Sequence, residues 1–319
     1  MSEHNELDDI LNQKEQEGGA FNNPIIEHVK QEGLGKVDMS RFGPDQARSA
    51  NDHLGWIAMN LEMLPSKGRF YPADAFLQLR AARVNEIRYF STVEENNLID
   101  VEDKLNYIVN NCVQFRSSKK MLSYKDICEE DRIFIILAIR DMTFPEPENK
   151  IIFKTRNKRG EEVDMELKSE NFEISQVSEE IEKYYDETIR AYRIQTKSAG
   201  EIIMRPPSIG IMEAITGYIK DKEQNKKPWD RAFMQIYPYI QTDWRGVDEK
   251  KIFADEVESK GWSEKKYMII YRLAEKMRIG AQPELVAHIG GEEVRAQVDT
   301  FPGGIKSLFV IQDLSGELL

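Results

Sequence analysis

The longest unbroken apolar run in this 319-residue chain is Ile133–Ile139, read as Ile-Phe-Ile-Ile-Leu-Ala-Ile. It is far short of the roughly 20 residues that a helix needs to cross a bilayer. The segment Ile127–Met142 around it is strongly apolar in Ile133, Phe134, Ile136, Leu137 and Ile139, which predicts an apolar helix. A hydrophobic fraction of 40% allows a sizeable core, and 319 residues leave room for two ordinary domains, or one core with arms.

The flanking patterns predict its neighbours. Ser123 followed by Asp126 reads as the start of this apolar helix, and Phe144-Pro145-Glu146-Pro147 ends it. Val101, Leu105, Ile108, Val109 and Cys112 form one apolar stripe of a preceding helix, with Asp100 as its cap. Between Phe76 and Phe90, Leu77 and Leu79 alternate with polar residues, as do Val84, Ile87 and Tyr89 more loosely, which predicts two short strands. Ile151–Phe153 and Val163–Leu167 predict a hairpin across the turn Asn157–Gly160. A second hairpin is predicted over Tyr192–Met204, turning at Ser198-Ala199-Gly200, after a polar helical period over residues 177–190. Pro206-Pro207 suits a helix start, and Ile209, Met212, Ile215, Tyr218 and Ile219 form the stripe that follows. Further helices are predicted over 229–241, 248–259 and 263–279, while the last forty residues carry no assignable period. The expected fold is α+β: a small sheet-plus-helix body at 54–205 with a hairpin insertion at 150–168, then a mainly helical region at 206–319.

Residues 1–53 differ from the rest. Glu3, Glu6, Asp8, Asp9, Glu15 and Glu17 oppose a single Lys14 in the first twenty positions, and large apolar residues are sparse. Such a stretch cannot bury enough surface to offset its ordering entropy, so an extended or disordered arm is expected. Leu7, Ile10 and Leu11 sit at i, i+3, i+4. They read either as a short amphipathic turn for a partner's groove or as a chance cluster in a tail.

Charge and motifs narrow the chemistry. Lys and Arg number 44 and Asp and Glu 56, a net −12, and Lys119-Lys120, Lys158-Arg159 and Lys226-Lys227 are only isolated basic pairs. No nucleic-acid partner is expected from this balance. Cys112 and Cys128 read as residues on two apolar helix faces, in a reducing or redox-indifferent compartment. The polar, acidic N-terminus is no secretory signal, so a soluble protein made and kept inside a cell is expected. The four histidines, His4, His28, His53 and His288, are scattered, and no paired zinc-ligand spacing occurs, so no metal is expected. Neither a phosphate-loop spacing around Ser66-Lys67-Gly68, nor a dinucleotide fingerprint, nor a nucleophile elbow is present, so neither cofactor nor catalysis is expected. What remains is surface chemistry. Trp229, Phe233, Tyr237, Tyr239 and Trp244 cluster in sixteen positions. The first three, spaced i, i+4, i+8, suit a core stripe or an interface anchor.

The stretch Leu64-Pro65-Ser66-Lys67-Gly68-Arg69-Phe70-Tyr71-Pro72 is turn-rich, with Gly68 able to supply a positive φ. It resembles the opening proline-serine-x-glycine-x-x-tyrosine signature of a baseplate protein family of T-even-like contractile-tailed phages. An acidic segment, Thr92–Asn96, a helix at Lys104–Val113 and an apolar helix at Asp131–Arg140 follow in the family's order, over roughly residues 62–145. The hairpin at 150–168 falls where the family has a β insertion. The acidic arm lies outside the pattern, and the middle-region cysteine pairs of some relatives are missing. The resemblance implies a non-enzymatic component or assembly factor of the tail baseplate hub. Its partners would be hub, tube or wedge subunits, or further copies in a symmetric baseplate, with no membrane partner. Its location would be the host cytoplasm during assembly and then the virion tail. The partner-binding residues expected are Leu7, Ile10 and Leu11 of the arm, Leu64, Pro65, Gly68, Phe70 and Tyr71 of the signature, and Trp229, Phe233, Tyr237 and Trp244. Two readings from other classes remain open here, an enzyme of unrecognised kind and a nucleic-acid-binding accessory protein.

Overall fold

A computed structural model describes residues 55–145, 150–197, 199–297 and 304–310. The arm and its Leu7, Ile10 and Leu11 lie outside these residues. The described chain is α+β, with helices and several small antiparallel sheets.

Strands β1 (Ile57–Met59), β2 (Phe76–Leu79) and β3 (Val113–Arg116) form the first antiparallel sheet, in that order. Between β2 and β3 lie helices α1 (Val84–Phe90) and α2 (Leu98–Cys112), and α3 (Arg132–Thr143) follows. α3 is the central helix. Phe134, Ile135, Ile136 and Ile139 are essentially inaccessible, and α3 packs on α2 and β2. Full burial contributes roughly 1.5–3 kcal/mol for each such side chain.

Five local expectations are corrected. The second strand expected before Phe90 is the helix α1: Ile87 and Phe90 sit three apart, and Glu86 accepts the Arg83 N–H at 2.5 Å, closing the first turn. The cap of α2 is Asn97, whose side chain accepts from the Ile99 and Asp100 amides, while the Asp100 carboxylate takes the Glu94 N–H at 2.6 Å. Ser123 and Asp126 bound a single 3-10 turn, not the start of α3. The chain stays extended at Ile127 and Cys128, because Cys128 bridges to Ser208, so Cys128 is not on a helix face. Of residues 177–190 only Glu179–Glu182 is helical (α4), since Tyr185 and Asp186 are drawn into a strand.

The predicted hairpins form. β4 (Ile152–Arg156) pairs with β5 (Glu162–Glu166), placing Phe153 opposite Met165. After β6 (Phe172–Ser175), β7 (Tyr185–Asp186), β8 (Ala191–Thr196) and β9 (Gly200–Met204) make a three-stranded sheet. Helices α5 (Ile209–Gln224), α6 (Arg231–Ile240), α7 (Glu249–Ser259) and α8 (Glu264–Lys276) follow, as the periodicity predicts. The residues after them, unassigned from sequence, form a hairpin of β10 (Gly280–Ile289) and β11 (Glu292–Gln297), and β10 pairs back onto β6. One continuous set of buried apolar side chains runs from Met59 to Phe309.

Candidate functional site

The signature stretch 64–72 folds as successive tight turns. The Lys67 N–H donates to Leu64 O at 2.8 Å, Arg69 to Ser66 O at 3.1 Å and Tyr71 to Gly68 O at 3.1 Å. These turns put Lys67 at φ 51° and Gly68 at φ 70°. A side chain at 68 would be strained by that φ and would set a Cβ 3.0 Å from the Leu61 Cβ. The loop's apolar residues, Leu64, Pro65, Phe70 and Tyr71, point inward and are buried, Gly68 is half-buried, and Lys67 faces solvent.

The loop is held by one carboxylate. Asp131 is fully buried at the end of the 3-10 turn Glu129–Asp131 that precedes α3. Its Oδ1 accepts the Ser66 N–H at 2.8 Å. Its Oδ2 accepts the Ser66 hydroxyl at 2.5 Å and the Tyr71 hydroxyl. The Tyr71 oxygen in turn accepts the Cys128 N–H at 2.9 Å, and its ring meets Phe115 edge-on at 5.0 Å. These donors are neutral. Burial therefore dominates and pushes the Asp131 carboxyl up to about 6, against the hydrogen bonds from Ser66 and Tyr71 that favour its ionised form. Burial and the neighbouring Asp131 also hold the Tyr71 phenol well above its ordinary value.

The adjoining carboxylates diverge. Glu130 lies against Gly280, at φ 125°, where a Cβ would force the end of the Glu130 side chain to shift, and burial together with Glu129 and Asp131 pushes it up to about 7. Glu129 pairs with Arg132 at 2.6 Å, and its Oε2 has no hydrogen-bond partner among the described residues. Arg132 also reaches Glu102 and, at 2.7 Å, the Asn106 side chain, both on α2. Lys104 of α2 donates to Thr92 Oγ1 at 2.9 Å, with its ammonium 3.6 Å from the Tyr89 ring. The four sequence pieces of the resemblance are thus tied to one another by side-chain contacts. On the outer side of the loop, Arg69 pairs with Glu182 at 2.5 Å and lies 4.2 Å over the Tyr185 ring, and the Tyr185 hydroxyl donates to Arg69 O at 2.5 Å.

The aromatic group sits elsewhere on the core. Phe233 and Tyr237 are buried in α6; Phe233 meets Trp262 edge-on at 5.8 Å, and the Tyr237 hydroxyl donates to Asp255 at 2.9 Å. Trp229 is half-buried. Trp244 is half-buried over Gly210, between the Lys125 ammonium at 5.3 Å and the Arg245 guanidinium at 4.8 Å. Sequence reasoning missed Ser66, Asp131 and Arg132 as a unit. The only signal was an Asp at the head of the apolar run, which reads equally well as a helix cap.

Ser66 is buried and donates its hydroxyl to Asp131, so the arrangement acts as a clasp on the loop. Among the described residues no His, Cys, Asp or Glu cluster could hold a metal ion, and no helix is long and apolar enough to cross a membrane. No protein-family model, no curated protein and no solved structure matches this chain.

Proposed function

We propose that the chain is a structural or assembly component of a contractile phage tail baseplate, acting through protein–protein contacts without covalent catalysis. The observation that carries this reading is the convergence of the resembling segments. The signature loop binds Asp131 at the head of the apolar helix, that helix's Arg132 binds α2, and α2 binds the acidic segment through Lys104. Motifs scattered over 62–145 become one polar framework, which supports reading them as the parts of one family module. A loop braced from inside presents Lys67 on a fixed surface, as a subunit that holds neighbours in register requires. Its partners are hub, tube or wedge subunits, and its place is the host cytoplasm during assembly and then the tail.

Mass spectrometry of purified virions beside assembly intermediates from infected cells tests this. A fixed ratio to tail proteins in both samples is expected of a resident subunit, and presence in intermediates only is expected of an assembly factor. Absence from both sinks the proposal.

A further inference from the structure

Three consecutive carboxylates head α3, and they are served unequally. Asp131 has Ser66 and Tyr71, and Glu129 has Arg132 at 2.6 Å. Among the described residues no donor is hydrogen-bonded to the Glu130 carboxylate. Its Oε2 instead lies against the backbone of Gly280, the first residue of β10. The charged and titratable groups around it do not compensate. Glu129 and Asp131, on its own turn, oppose a negative charge there. Arg132 favours one but is engaged by Glu129 and Glu102, and Arg278, in the link from α8, is paired with Glu275 at 2.9 Å. Cys128 before the turn and Tyr239 of α6 also face Glu130, and burial favours the uncharged form of both.

A second observation concerns how β10 is held where it meets this side chain. Gly280 pairs with Ser175 and Ala281 with Ile174 of β6, and the register then shifts before Leu285 meets Phe172. The buried Ile279 and Leu285 fix the two ends, which leaves 280–284 as the part that can lift. The turn that carries Glu130 is tied in place: the Glu129 N–H donates to Pro207 O at 2.9 Å and the Asp131 N–H to Cys128 O at 3.0 Å. We propose that Glu130 is a pH-operated latch on β10. Uncharged, it packs under the strand and residues 280–284 seat on β6. Charged, it draws in water and those residues lift, baring the β6 edge at Ile174 and Ser175. This inference does not rest on the baseplate reading. The seated strand favours the neutral carboxyl, so the seated form weakens as pH rises from the ordinary glutamate range towards neutrality, and weakens no further above it.

The test is native-state hydrogen exchange of the full chain, read by mass spectrometry and corrected for intrinsic amide rates, between about pH 5.5 and pH 7.5. One proton is worth at most ten-fold per pH unit, so the opening constant of 280–284 should rise about ten-fold or more across this range. It should also stay well above that of the α3 amides at every pH, as local lifting requires. Glu130→Gln, which keeps the shape and cannot ionise, should abolish the rise at 280–284. A stretch 280–284 that opens only together with α3, or with no dependence on pH, would overturn the latch. A rise that survives in Glu130→Gln would overturn Glu130 as its cause.

Discussion

Two regions of this molecule bury a tyrosine hydroxyl against a carboxylate, and they do it differently. In the clasp, Asp131 receives Tyr71 and two donors from Ser66, all from a loop about sixty residues earlier, and all uncharged. In the helical layer, Glu256 of α7 receives the Tyr218 hydroxyl at 2.5 Å and the Asp230 N–H at 2.9 Å. The next residue, Asp255, receives Tyr237 and also the Lys251 ammonium at 2.7 Å, one helical turn away. The helical pairs join elements whose apolar stripes already bring them together. The clasp fixes a loop that has no regular hydrogen-bond ladder of its own, so its polar contacts carry a larger share of the local order.

The largest difference should come from deleting each carboxylate. Asp131→Ala strands three buried donors and should lower stability by about 3–5 kcal/mol in urea unfolding, with Glu256→Ala at about 1–3 kcal/mol. Equal losses would erase the distinction between the two regions. Acidity should separate them next. Burial pushes Glu130 up to about 7 and Asp131 up to about 6. Between the ordinary carboxylate range and these values the native state keeps protons that the unfolded chain has released. Stability should therefore fall as pH rises from 5 to 8, by roughly 2–4 kcal/mol, and flatten above that. Asp74, held down to about 2 mainly by the Ser118 hydroxyl, and Glu182, held down mainly by its hydrogen bond from Arg69, are ionised across this window and add no slope. Glu130→Gln should remove the upper part of the decline, measured as unfolding midpoints against pH; an unchanged curve would place the titration elsewhere. The smallest contrast is between two glycines. Gly68→Ala, at positive φ against Leu61, should cost about 1–2 kcal/mol, whereas Gly217→Ala, in open space on α5, should gain about 0.5–1 kcal/mol. Matching thermal shifts in the two variants would mean that the loop is not braced as described.

The same contrast explains what could be read from sequence. Helices α5–α8 were legible because their stripes repeat at helical spacing, and the β4–β5 and β8–β9 hairpins because turn residues separate alternating runs. α1 was misread because Val84, Ile87 and Tyr89 fit a loose alternation, while the contact that closes its first turn, Glu86 to the Arg83 amide, leaves only a faint local trace. β10 and β11 went unassigned although the local turn Gly290-Gly291 joins them as a hairpin; only the pairing of β10 with β6, more than a hundred residues earlier, leaves no local pattern. Of the residues chosen as contacts, Leu64, Phe70, Tyr71, Phe233 and Tyr237 face inward, since large apolar side chains announce burial without saying whether a core or a partner supplies it. The bond from Ser66 to Asp131 spans 65 positions and has no signature in either segment.

Gly280 closing over Glu130 has a consequence for synthesis on the ribosome. Both residues that bind the Asp131 carboxylate precede it in the chain, so those bonds can form once α3 has emerged, whereas the bridge from Cys128 to Ser208 comes later and the cover over Glu130 arrives only with β10. At the usual rate of translation the nascent protein spends roughly 10–30 s with its first framework closed and that carboxylate uncovered. Arrested nascent chains ending shortly after α3 should already protect the 64–72 loop from protease, and a loop still cut freely at that length would show that the first framework waits for the last strand.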